Sequence, residues 1–187
     1  MKLFENVLEN KIIEGTHFTG LTDDAFAKLL YEIKEFKDRG ILVVTTSLFE
    51  ANKLYELVSD YTDKVLLFPM DDFLTSEAVA ISPDLMITRL ETLNQILEDS
   101  KSIVITNLMG YLRFLPTKEI YKNSFISLRV DEDIDPTKLV ENLVDIGYTR
   151  ETIVTRTGEF AVRGFVVDIF PLGAEYPVRI EFFGDTI

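Results

Sequence analysis

Two guanidinium groups and a phenyl ring near the carboxyl end are the side chains of this sequence best suited to chemistry, and that chemistry is recognition. The stretch RTGEFAVRGFVVDIFPLGAEYPVRIEFFGDTI, residues 156–187, reads as three short strands of one antiparallel sheet. Along the third strand Val178, Ile180 and Phe182 alternate with Arg179, Glu181 and Phe183; along the first, Phe160 and Val162 alternate with Glu159, Ala161 and Arg163. Successive side chains on a strand point to opposite faces. One face therefore takes Val, Ile and Phe into a core, and the other holds Arg163, Arg179, Glu159, Glu181 and Phe183. Planar guanidiniums grip carboxylates bidentately, and an outward aromatic beside them is the composition of an interface centre. The alternative is that another layer of the intact protein covers this face. Phe165 is expected to begin an inward set with Val167 and Ile169. Glu159 and Glu181 are expected to orient the arginines as cross-strand partners.

Other chemistries have little support. The chain has no cysteine, which excludes thiolate nucleophiles, disulfides and cysteine metal sites. Its single histidine, His17, excludes a histidine-rich metal cluster and makes a nucleophile–His–acid triad improbable. The acidic run Asp131–Asp135 lacks the ligand spacing of a calcium loop and reads as a solvated lead into a helix cap. Nineteen basic against 32 acidic residues give a net charge of −13, a field that repels duplex DNA and favours protein partners. No apolar run approaches the length of a membrane span and no signal sequence opens the chain, so no membrane is expected and the expected compartment is cytoplasmic.

At 187 residues, 47% of them hydrophobic, the chain suits one medium or two small globular domains. The first two thirds alternate helix and strand. A short helix is expected over Leu3–Leu8 and a brief strand in GTHFTG, residues 15–20. A helix follows from Thr22, apolar at Phe26, Leu29, Leu30 and Ile33 and capped by Thr22 with Asp23 and Asp24. Ile41–Thr45, Val65–Phe68 and Ser102–Thr106 read as strands. Ser47 caps a helix carrying Leu48, Ala51, Leu54, Tyr55 and Val58. Ser82-Pro83 opens another, apolar at Met86, Leu90, Leu93 and Leu97. This grammar implies a mainly parallel sheet with helices on its faces. It changes in the polar stretch PTKEIYKN, where a boundary is expected: 1–117 as an α/β domain, 118–187 as a small α+β domain. The second begins with a strand, Ser124–Val130, and a helix from Asp135-Pro136 to Gly147. Strand and helix would cover one face of the antiparallel sheet and leave the Arg–Phe face open.

The blocks GEFAVRG, VVDIFP and PVRIEFFGD, in that order with short spacers, resemble the UvrB-homology module of bacterial nucleotide excision repair. That module occurs in UvrB and in the N-terminal region of the transcription-repair coupling factors, the Mfd family. The resemblance is close after Thr157 and looser before Tyr111. It implies docking of the damage-sensing ATPase UvrA, with recognition carried by positions matching Arg163, Arg179 and Phe183. Two departures stand out. Phe165 follows Arg163-Gly164 where the family usually has a small residue, and Gly184-Asp185-Thr186-Ile187 replaces the usual continuation toward an arginine.

In UvrB and in helicases generally, the strand–loop–helix at the start of this module is a phosphate-binding loop with a Lys–Ser/Thr pair. The corresponding stretch here is TGLTDDAF, residues 19–26. Gly20 and Thr22 remain, the lysine does not, and Asp23 and Asp24 stand at the helix N-terminus, where their charge satisfies the dipole and repels a triphosphate. The fold implied is a degenerate helicase-like, P-loop-type α/β domain with a parallel sheet, followed by the small antiparallel-sheet domain. UvrB keeps its loop and carries a long aromatic hairpin, for which no segment fits between Leu66 and Ile103. The chain is therefore identified as a member of the coupling-factor group, an N-terminal fragment of it.

The resemblance implies a non-catalytic adaptor that recruits UvrA to stalled RNA polymerase. ATP, Mg²⁺, RNA polymerase and DNA would engage only other domains of such a factor, so no cofactor is expected here. The resemblance also implies that an intact member of the family would hide this surface against its own C-terminal domain. Two alternatives stay open at this point: the N-terminal part of a UvrB-type ATP-dependent helicase, and a purely structural packing module.

Overall fold

The computed structural model describes residues 3, 4, 8, 12–72 and 82–187. The chain divides into two compact units, Met1–Arg113 and Phe114–Ile187.

The first unit is built on a parallel sheet. Helix α1 (Asp23–Lys37) starts where the Thr22 hydroxyl accepts the Ala25 N–H at 3.3 Å, with Asp23 and Asp24 in the first turn and Lys34 and Lys37 in the last. Charges of these signs at these ends favour the helix dipole. It stops at Asp38, which adopts a left-handed φ of 46°. Strand β1 (Ile41–Thr45), helix α2 (Leu48–Ser59, capped by Ser47), strand β2 (Val65–Phe68), helix α3 (Pro83–Glu98), strand β3 (Ile103–Asn107) and the single turn α4 (Leu108–Tyr111) follow. All pairings are parallel and β3 is central, in the order β1-β3-β2. Ile103, Ile105 and Val65 bury one sheet face against Ala27 and Leu30 of α1 and Ala51, Leu54 and Val58 of α2.

On α3 the expected apolar stripe is corrected at Met86, which is exposed, while Leu90, Leu93 and Leu97 are half-buried; among the described side chains of this helix Arg89 and Thr92 are buried. Arg89 Nη1 donates to the Pro69 carbonyl at 3.0 Å, and the Thr92 hydroxyl donates to the Leu67 carbonyl at 2.5 Å. Polar groups seat this helix because the chain leaving β2 presents carbonyls that need donors. The strand expected in GTHFTG is not formed. Ile13 and Thr16 bond to each other through backbone and hydroxyl, a local arrangement that competes with a sheet ladder. Most of the helix expected over Leu3–Leu8 lies outside the described residues. At its described start, the Leu3 and Phe4 N–H groups each donate at 2.8 Å to the buried carboxylate of Glu32.

The polar stretch in which the boundary is expected holds helix α5 (Lys118–Asn123), capped by Thr117. Helix α6 (Pro136–Asp145) is capped by the Asp135 carboxylate and ends before Gly147 at φ 98°. Strands β4 (Thr149–Arg150), β5 (Glu159–Arg163), β6 (Val166–Ile169) and β7 (Val178–Glu181) form one sheet in sequence order. β5, β6 and β7 are antiparallel, as read from the sequence, but β4 adds a short parallel pairing and makes the sheet mixed. Leu139 and Leu143 of α6 pack on Phe160, Val167, Ile169, Ile180 and Phe182. Each such buried side chain contributes about 1.5–3 kcal/mol.

Ser124–Val130 is not a strand. Ile126 and Leu128 do alternate onto the core, but the segment joins no ladder. The acidic segment after it is tied to the last residues instead: Asp131 N–H to Ile187, Ile134 N–H to Asp185 and Ile187 N–H to Glu132.

Candidate functional site

The register of the second sheet places the outward residues in rows. Arg163, Val166 and Glu181 stand opposite one another across β5, β6 and β7, and Ala161, Asp168 and Arg179 form the next row. With about 4.8 Å between strands and about 3.3 Å per residue along them, the Arg163 and Arg179 backbones are about 12 Å apart. Both arginines share the face opposite α6. Ala161 is outward by register yet only 2% exposed.

Two tight turns define one end of this sheet. Gly164-Phe165 joins β5 to β6, and Gly184-Asp185 lies between the bridged residues Phe183 and Thr186 just after β7. Each turn has glycine first, at φ 61° and 68°, a backbone that side-chain-bearing residues rarely adopt. Phe165, at the second turn position, leaves the pleat and is 71% exposed, which corrects the inward assignment. Phe183 is 93% exposed at the same end. Val178 shares the inner face by register but opens the edge strand β7, and it is half exposed rather than core.

The side-chain partners differ from those expected. Arg179 Nε donates to Asp168 Oδ1 at 2.7 Å and Nη2 to Oδ2 at 2.9 Å, a bidentate pair between directly opposed residues. This bond holds the Asp168 carboxyl below its ordinary range and raises Arg179. Arg163 Nη2 donates to the Thr152 carbonyl at 2.7 Å and lines an open cleft of about 360 Å³ with Arg150, Glu151, Thr152 and Val162. Glu159 orients neither arginine. It accepts the N–H groups of Thr155 and Arg156 at 2.8 and 2.9 Å and the Thr155 hydroxyl at 3.2 Å, which staples the preceding loop. Those N–H groups lower its pKa. Glu181 is exposed on the Arg163 row. Sequence reasoning missed Asp168. Its outward parity between Val167 and Ile169 was the available signal, but the opposition to Arg179 depends on register.

In the first unit, Gly20 takes a positive φ of 74° and Thr22 caps α1, with no strand before them among the described residues. Lys53 Nζ of α2 lies 2.6 Å from Asp23 Oδ2. Asp23 is thus neutralised by a protein cation at the helix start. Among the described residues no group of three or more acidic or histidine side chains could hold a metal ion, and no helix is long and apolar enough to cross a membrane.

The UvrB interaction domain family matches residues 126–187, which begin just before the acidic loop and include the whole four-stranded sheet. Over most of its length the chain is similar to transcription-repair-coupling factors. It is 34% identical to that of Bacillus subtilis over 185 residues, 94% of this chain and 16% of the relative. The Staphylococcus haemolyticus protein is 39% identical over 172 residues, 90% and 14%. The Staphylococcus aureus protein is 36% identical over 175 residues, 92% and 15%. The chain thus spans about a sixth or less of the length of these relatives.

Proposed function

We propose that this chain, which belongs to the transcription-repair-coupling factor family, acts as an adaptor module that recruits UvrA through the outward face of its four-stranded sheet. The observation that carries this reading is the joint exposure of Arg163, Arg179 and Phe183 on the face opposite α6 and at its adjoining end. Each has the chemistry of a hot spot: guanidiniums that pair carboxylates and a phenyl ring free to fill a partner pocket.

The module is non-catalytic in this reading. The helix start that would hold a triphosphate carries Asp23 and Asp24, and Lys53 of α2 is engaged with Asp23. Contacts with RNA polymerase and DNA belong to other parts of such a factor. The test is calorimetric titration of purified UvrA into the chain and into its Phe183→Ala variant. Saturable binding that the variant weakens supports the reading; wild-type affinity in the variant, or no binding at all, overturns it.

A further inference from the structure

The Arg179–Asp168 pair selects which edge of the guanidinium a partner meets. An arginine has five N–H donors in a planar fork. Two of them, on Nε and Nη2, are engaged by Asp168, and among the described residues the group has no other hydrogen-bond partner. Three donors remain: one on Nη1 and one on Nη2 form the end-on edge of the fork, and the second on Nη1 points back towards the stem of the side chain. The Arg179 side chain is 59% exposed and the Asp168 side chain 17%, so the carboxylate sits low on the sheet and the guanidinium stands over it. Asp168 is itself fixed, because it lies on the second of three antiparallel strands, opposite Arg179 on one side and Ala161 on the other. The small Ala161 leaves the carboxylate to Arg179 alone in that row.

An exposed arginine otherwise samples many rotamers, and ordering it on binding costs conformational entropy. The bidentate bond removes most of that freedom beforehand and points the end-on edge into solvent. We infer that Asp168 is a positioning residue for partner recognition: it locks Arg179 so that its Nη1–Nη2 edge receives a carboxylate of the partner. The inference rests on the proposed UvrA-docking role of this face. Asp168 itself touches no partner in this arrangement, and its effect passes wholly through Arg179.

The test is a double-mutant cycle by calorimetry, with UvrA titrated into the chain and into Asp168→Asn, Arg179→Ala and the double variant, each with its melting temperature. Asn is nearly isosteric with Asp, so the sheet keeps its shape. The expected result is about a tenfold loss for Asp168→Asn alone and no further loss when it is added to Arg179→Ala. A merely structural role would weaken binding equally in both backgrounds, and that outcome overturns the inference, as does wild-type affinity in Asp168→Asn. Wild-type affinity in Arg179→Ala has a separate meaning. It removes Arg179 from the interface and overturns the docking face together with this inference.

Discussion

Lys53 of α2 reaches across to Asp23 at the first turn of α1, with 2.6 Å between Nζ and Oδ2. The two residues are 30 positions apart, and the contact raises the Lys53 pKa through its bond to Asp23. A nucleotide loop needs a lysine free to meet phosphate and a helix start free of carboxylates. Here the loop has no lysine, Lys53 reaching the helix start from α2 is held by Asp23, and Asp24 stands beside it.

Mg-ATP is therefore expected neither to bind nor to be hydrolysed by this chain. Calorimetry should show no heat of binding at millimolar nucleotide. A micromolar dissociation constant would reopen the helicase reading of the first unit.

Duplex DNA is expected not to bind at physiological salt, because the net charge of −13 opposes phosphate. Gel shifts across a salt series check this. Retention at low salt that falls steeply as salt rises would reveal a phosphate-contacting surface.

Arg163→Ala, Arg179→Ala and Phe183→Ala should each weaken UvrA binding by about thirtyfold, the effect of losing about 2 kcal/mol. Phe183→Ala should leave the melting temperature unchanged, since the ring is 93% exposed. Ile180→Ala, on the buried face, should cost about 2–5 kcal/mol of stability. Val178→Ala should fall within about 0.5 kcal/mol of wild type, as its side chain is half exposed. Paired melting and affinity measurements on all five variants separate the two faces of the sheet.

Glu32→Ala should destabilise the first unit by about 1–3 kcal/mol, because the Leu3 and Phe4 N–H groups lose a buried acceptor. Glu32→Gln keeps one acceptor oxygen and should lose less. Thermal melting of both variants gives the comparison.

Acid should lower the stability of the second unit below about pH 4. Asp168 and Glu159 both have pKa values depressed in the folded state, Asp168 by its bond to Arg179 and Glu159 by the N–H groups of Thr155 and Arg156. A depressed carboxyl contributes stability that is fully present above its unfolded pKa, about 4, and is lost as pH falls through the folded value. Melting temperature should be flat from pH 7 to pH 5 and decline below pH 4. Asp168→Asn should make that decline shallower.

The sequence by itself determined the strands and helices whose signal is local. Ile41–Thr45 and Val65–Phe68 are β-branched or leucine runs bounded by turn residues, and Thr22, Ser47 and Asp135 cap the helices expected of them. Period-two alternation also assigned Arg163 and Arg179 to the outward set, because facing on a strand depends only on parity; Phe183, exposed as expected, lies beyond the end of β7 at a turn. Tertiary structure decided what depends on neighbours. The pairing of Arg179 with Asp168 rather than a glutamate follows from the register of β6 on β7, which alternation within either strand does not contain. The exposure of Phe165 follows from its place in a two-residue turn. Val178 is half exposed because its strand lies at the sheet edge. Ser124–Val130 has the alternation of a strand without a ladder, since hydrogen-bond pairing requires a partner edge and apolar periodicity alone does not supply one.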